Sequence, residues 1–279
     1  MHTRFGLLLA VGVLFGTMIT APAAHAEILV QEDFEDGNLA ARGWFDIAGW
    51  GTELFHSTTE RRNGSGSLEV RYRAGSTGPW MRHAFPGRDR IYTRYYRKWA
   101  PNFLWNNDVG PHDTYIFGMY GQQWFAPTQT YVTVYTEAFY QSAPAWQPGT
   151  IGIQTRRILQ GESYRPRTSI NPPPPRYQLD RWYCIETLAT MNTPGVSDGR
   201  LQVWVDGTPR FDVPNVILRD AANAGLQFDQ FMFGPYYHNG TPQAQSTWID
   251  ALVIATERVG CLDSDTTPPA APSNLRPSS

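Results

Sequence analysis

Residues 181–207, RWYCIETLATMNTPGVSDGRLQVWVDG, constrain the fold more than any other stretch of the chain. Residues 182–192 are rich in aromatic, β-branched and apolar side chains, which predicts a strand. Residues 193–199 are dense in turn formers, and residues 201–205 predict a second strand. Asp206-Gly207 then predicts another tight reversal, because glycine accepts positive φ. The second strand alternates: Leu201, Val203 and Val205 share one face, and Gln202, Trp204 and Asp206 the other. The first is largely apolar on both faces. Tyr183, Ile185, Thr187, Ala189 and Met191 lie on one side, with Trp182, Cys184, Glu186, Leu188 and Thr190 opposite. Such a strand belongs in mid-sheet, with one face in a core and the other in a groove.

The N-terminal residues read as an export signal. Arg4 supplies a positive charge, an apolar run extends from Phe5 to about Ile19, and Ala24-His25-Ala26 is a small-residue cleavage site. The run is short for a membrane span, which needs about 20 residues, so a retained anchor is the lesser alternative. Residues 1–26 are thus expected to be removed, residues 27–262 to form the domain, and residues 263–279 to be a proline-rich disordered tail or linker. The expected product is secreted or periplasmic, monomeric and free of the membrane. With a formal charge of −2, no global basicity suggests nucleic acid as a partner. Cys184 and Cys261 are the two cysteines. Outside the cytoplasm a disulfide is the natural reading, with two buried thiols as the alternative.

The spacings W-x-C-x-E, N-T-P-G and D-G-x-L-x-V-W-V-D-G in the hairpin, with D-F-E-D-G at residues 33–37, resemble the concanavalin A-like families. The chain looks most similar to secreted jelly-roll polysaccharide lyases and their uncharacterised relatives, over residues 33–260. The resemblance implies an all-β, concanavalin A-like jelly-roll sandwich of two antiparallel sheets. It implies that the first strand, within residues 27–34, neighbours the last, at 246–255. It also implies a structural Ca2+ where these strands meet, with Glu35 and Asp250 supplying carboxylate oxygens. Read as residues alone, both acids equally fit turns facing solvent.

Other strands are expected at residues 67–72, 90–99, 115–120, 131–140, 151–157 and 228–233. Residues 102–113 and 165–177 read as loops. In RIYTRYYRKW, Arg94, Tyr96 and Lys98 share a face that fits either the groove of an acidic sugar chain or a solvated surface with snorkelling side chains. Tyr135 and Glu137 share a face of the 131–140 strand. Glu186 is either a partner of Glu137 or a buried structural acid.

Several chemistries lack their motifs. There is no E-x-D-x-x-E strand for a glucanase, no G-x-S-x-G elbow and no H-E-x-x-H zinc motif. A polysaccharide lyase asks less of local sequence. It neutralises a uronate carboxylate, removes the C5 proton and protonates the leaving oxygen. His112, Tyr236, Tyr237 and His238 are the candidate acid–base groups; the last three lie in the turn G-P-Y-Y-H-N-G. Arg94 and Gln122 are candidate neutralisers. Tyr96, Lys98, Tyr135, Glu137 and Glu186 are candidate substrate contacts. The alginate-lyase motifs R-x-E-L-R and Q-I-H are absent. The expectation is therefore a lyase acting on an acidic, uronate-containing polysaccharide. A non-catalytic carbohydrate-binding module or a structural surface domain is the alternative.

Overall fold

The computed structural model describes residues 26–105, 112–120, 132–142, 145–157, 162–164 and 176–262. The export signal, Gln122, the 165–175 run and the 263–279 tail lie outside the described residues. Among the described residues there is no α-helix, only two short 3-10 turns, Leu39–Arg42 and Ala221–Asn223. No helix there is long and apolar enough to cross a membrane.

Among the described residues, fifteen strands build two antiparallel sheets. In chain order they are β1 Ile28–Glu32, β2 Trp44–Ala48, β3 Leu54–Ser57, β4 Ser67–Tyr72, β5 Trp80–Arg88, β6 Arg90–Trp99, β7 His112–Gly118 and β8 Val132–Ser142. There follow β9 Ala145–Arg157, β10 Glu162–Tyr164, β11 Tyr183–Thr190, β12 Gly199–Val205, β13 Thr208–Val216, β14 Phe228–Phe233 and β15 Gln245–Ala255. The first sheet runs β13-β12-β11-β6-β15-β4-β3, with β1 paired to β15, and the second runs β10-β9-β8-β7-β14-β5-β2. This is the jelly-roll sandwich implied by the sequence. First and last strands pair through Glu32↔Leu252.

The hairpin forms in the expected register, from Ile185↔Val205 to Thr190↔Arg200. Asp206 (φ 49) and Gly207 (φ 72) then turn the chain into β13 with two consecutive left-handed residues. β11 lies in mid-sheet between β12 and β6. One face of β6 and β11 carries Ile91, Tyr95, Trp99, Tyr183, Ile185 and Ala189 into the core. Ile116, Val132, Val134, Ile153, Phe231 and Phe233 meet them from the second sheet. Each of the isoleucines, valines and phenylalanines among them contributes about 1.5–3 kcal/mol by leaving water.

Two polar links cross this core. Tyr95 Oη lies 2.9 Å from Thr136 Oγ1 and receives a hydrogen bond from Thr114 Oγ1 at 3.2 Å. Arg97 Nε donates to Asp113 Oδ1 at 2.9 Å, and its Nη1 donates to the Trp248 carbonyl at 2.6 Å. Both members of the pair are almost wholly buried.

The other face of β11 corrects the groove expectation. It is sealed by the segment after β15. Cys184 and Cys261 form a disulfide, with Cα atoms 5.9 Å apart. Arg258 Nε and the Gly260 N–H donate to the two Glu186 oxygens at 2.6 and 2.9 Å. The Leu262 N–H donates to Tyr96 Oη at 2.7 Å. Glu186 is therefore a buried structural acid.

Candidate active site

The outer face of the second sheet gathers the remaining chemistry. Its geometry begins with a bulge in β7. His112 pairs with Glu137 and Tyr115 with Tyr135, so one extra residue lies on β7 between these pairs. Asp113 turns inward to Arg97, while His112 and Tyr115 stay on the outer face. The turn after β14 is held against β7, because the His112 N–H donates to the Tyr236 carbonyl at 2.9 Å.

Three side chains form a line. Glu137 Oε1 lies 2.9 Å from His112 Nδ1. His112 Nε2 lies 2.9 Å from His238 Nε2. The Tyr236 ring is nearly parallel to His112, with centroids 6.1 Å apart. Tyr135 meets His112 edge-on at 4.9 Å and stacks on Tyr115 at 5.4 Å. His112 is buried (9% exposed), Tyr236 half-buried and His238 exposed. The outermost imidazole is thus backed by a second imidazole and then by a carboxylate.

Two nitrogens facing each other at hydrogen-bond distance require one proton between them. The negative charge of Glu137, close to Nδ1 but not aligned for a hydrogen bond, favours the proton on Nδ1 of His112, whose Nε2 lone pair then accepts the Nε2–H of His238. With the proton on Nε2, Nδ1 is the unprotonated ring nitrogen of His238, the requirement for a base. Burial, aided by Glu137, pushes the Tyr115 phenol well above its ordinary range, so its ring serves as a wall.

The structure brings together His112, Tyr236, His238, Tyr135 and Glu137. Tyr237 is a correction. Side chains alternate along the extended chain, and Tyr237 points inward, edge-on to Tyr72 at 5.4 Å. It is 1% exposed, and burial raises its pKa, the opposite of what a base needs.

Arg94, Tyr96, Lys98 and Glu186 are a second correction. They lie on the outer face of the first sheet, across the whole sandwich from His112. Lys98 Nζ is held by Glu60 at 2.8 Å and Asp180 at 2.7 Å. Burial pulls the Arg94 pKa down. Arg82, on the face of His112, is also buried. It hydrogen-bonds Gln230 and lies 3.6 Å from Asp46.

Glu35 and Asp250 clamp the loop that precedes β4. Glu35 accepts the Ser65 N–H at 2.7 Å and the Ser65 hydroxyl. Asp250 accepts the N–H groups of Arg62 and Asn63 at 2.7 and 2.9 Å and of Ala251 at 2.6 Å. Among the described residues no group of three or more His, Cys, Asp or Glu gathers to hold a metal.

Burial raises the Asp250 pKa from an ordinary 3.8 to about 6. A carboxyl raised on folding adds stability that is complete below pH about 4 and is lost as pH rises through about 6. Asp250→Asn should therefore flatten the pH dependence of unfolding between pH about 4 and 7, by on the order of 2 kcal/mol. Urea titrations across that range would show it; parallel curves for the two proteins would refute it.

The fold is that of the jelly-roll polysaccharide lyases. The sequence pattern of the family described as Polysaccharide lyase 14 matches residues 150–252. That span includes Tyr236 and His238 but not His112 or Glu137. No curated protein sequence matches the chain. Among solved structures, the marine PL-14 alginate lyase from Aplysia kurodai superposes with a TM-score of 0.60 at 13% identity, covering 83% of this chain and 100% of that one. Alginate lyase vAL-1 from Chlorella virus gives 0.56 at 14%, covering 83% and 100%. Alginate lyase Aly36B bound to an alginate trisaccharide gives 0.57 at 14%, covering 82% and 94%.

Sequence reasoning missed Tyr115 and the inward Asp113. Tyr115 was within reach, since it alternates with Phe117 on a predicted strand. Asp113 was not, because its partner Arg97 lies on the opposite sheet.

Proposed function

We propose that the protein is an exported lyase that cleaves a uronate-containing polysaccharide by β-elimination at the outer face of its second sheet. The Glu137–His112–His238 line beside Tyr236 carries the reading. Elimination needs a base at C5 and an acid at the glycosidic oxygen, on one open surface. His238 Nδ1 takes the C5 proton. The imidazolium so formed is stabilised through His112 by the Glu137 carboxylate. The electron pair from the C5–H bond forms the C4–C5 double bond as the C4–O bond breaks. The Tyr236 phenol donates its proton to the departing oxygen. Glu137 and His112 hold the tautomer and touch no sugar atom.

The family match and the lyase-like fold support this chemistry, and the alginate lyases among the structural neighbours suggest an acidic polymer. The N-terminal sequence supports export.

Purified mature protein should generate unsaturated ends that absorb in the ultraviolet on at least one of alginate, polyglucuronate or a glycosaminoglycan. A flat trace on the whole panel, with retardation of the protein in polysaccharide-containing native gels, would replace the lyase by a binding module.

A further inference from the structure

The outer face of the second sheet carries an aromatic side chain that the elimination chemistry does not use. Trp80 opens β5 and is 41% exposed. Side chains alternate along β5. Met81 is buried in the core, so Trp80 and Arg82 share the outer face with Tyr115 and His112.

Register places Trp80 in the cross-strand row next to the one that bears His112. Met81 pairs with Phe233 and Trp80 with Ala48, so the next position on the β14 side of Trp80 is Gly234. The Gly234 N–H in turn donates to the Asp113 carbonyl at 3.0 Å, beside His112. Across the sheet the row reads Trp80, Gly234, Asp113, and His112, paired with Glu137, lies one residue along β7 from Asp113.

Gly234 is buried, and the Met232 and Tyr115 side chains close over it to form the floor between the two ends. A Cβ there would meet Met232 Cε at 3.1 Å and Tyr115 Cε2 at 3.2 Å. The row is also stiff. The chain just before Trp80 is bonded to the turn that bears Tyr236 and His238. The Tyr237 N–H donates to the Thr77 carbonyl and the Thr241 N–H to the Ser76 carbonyl, both at 2.9 Å. Tyr72 Oη donates to the Pro235 carbonyl, also at 2.9 Å.

We infer that Trp80 is a stacking platform for a pyranose ring of the polysaccharide, about two sugar units from the ring that His238 deprotonates. A large exposed indole on a rigid strand offers a flat apolar face to sugar C–H groups. β5 and β7 are two strand spacings apart, roughly 10 Å, the span of two pyranose rings in an extended chain. The substrate would thus run across the strands, from Trp80 over the Met232 and Tyr115 side chains to the imidazoles. The platform deepens the lyase reading and rests on it for the reacting end only.

The test compares Trp80→Ala and Trp80→Phe with wild type on long polyuronate chains and on the shortest oligouronate that is cleaved. The alanine variant should lose about tenfold in kcat/KM on long chains, mainly through KM, as expected for one lost ring contact. It should lose little on the shortest substrate, and phenylalanine should restore part of the loss. Equal losses on long and short substrates, or none on long ones, would overturn the platform.

Binding separates this outcome from the fate of the lyase reading. If wild type forms no unsaturated ends, retardation by polyuronate in native gels should still weaken in Trp80→Ala. Unchanged retardation, or none in wild type, would overturn the platform as well.

Discussion

A His238→Ala variant should lose about 10²–10⁴-fold in kcat, the usual contribution of a positioned acid–base group. Polysaccharide retardation should persist, because the aromatic surface is untouched. The effect is expected to be large because His238 is the exposed end of the line, with His112 and Glu137 behind it at 2.9 Å steps.

Glu137→Gln probes the same line from its buried end. A nearby carboxylate raises an imidazole pKa by favouring its charged form. Its removal weakens the base and lets it stay unprotonated at lower pH. The acidic limb of kcat/KM should therefore move to lower pH while the maximum falls. A merely structural Glu137 would lower the amount of folded enzyme and leave the limb where it was. Full activity in His238→Ala would remove the imidazole line from the mechanism.

The second large effect concerns the core. Asp113→Ala should destabilise the fold by about 3–5 kcal/mol, because it leaves the Arg97 guanidinium buried without its counter-charge. Arg97 retains its bond to the Trp248 carbonyl and its contacts with the Trp99 and Phe233 rings, 5.4 and 4.9 Å from centroid to guanidinium. The double replacement Arg97→Met/Asp113→Leu removes both charges and should cost much less than the two single changes summed. Urea unfolding midpoints at constant m-value would measure this. A loss below about 1 kcal/mol in Asp113→Ala would mean that water reaches the pair.

The pair bears on the site as well. Asp113 is the residue that turns inward at the β7 bulge and leaves His112 outside. Any surviving Asp113→Ala protein should therefore show reduced kcat as well as reduced stability.

These two sites show where sequence reading succeeds and where it stops. The hairpin and most strands were legible because period-two patterning and turn residues are local signals. RIYTRYYRKW was sorted correctly into two faces, with Arg94, Tyr96 and Lys98 together. Which face was buried could not be read. Arg97 made the inner face look as polar as the outer one, and its partner lies on the other sheet. Likewise the adjacent Tyr236 and Tyr237 had to point opposite ways, but nothing local told which one met the core.

Gly110-Pro111 makes the sequence around His112 read as a loop, whereas His112 opens β7 at the bulge. The pairing of His112 with His238 spans 126 residues and depends on β7 lying beside β14. The strands were readable individually, but the site depends on their order in the sheet.

The Cys184–Cys261 bond has a mechanical consequence. A pull on the chain beyond Leu262 does not reach the end of β15 first. It passes through the sulfur bridge into β11, which is zipped to β6 on one edge and β12 on the other. The load then falls on a strand gripped from both sides, and β15 is spared from being peeled off its neighbours. In its oxidised form the domain is moored by its middle, and the imidazole face on the far side of the sandwich is left slack.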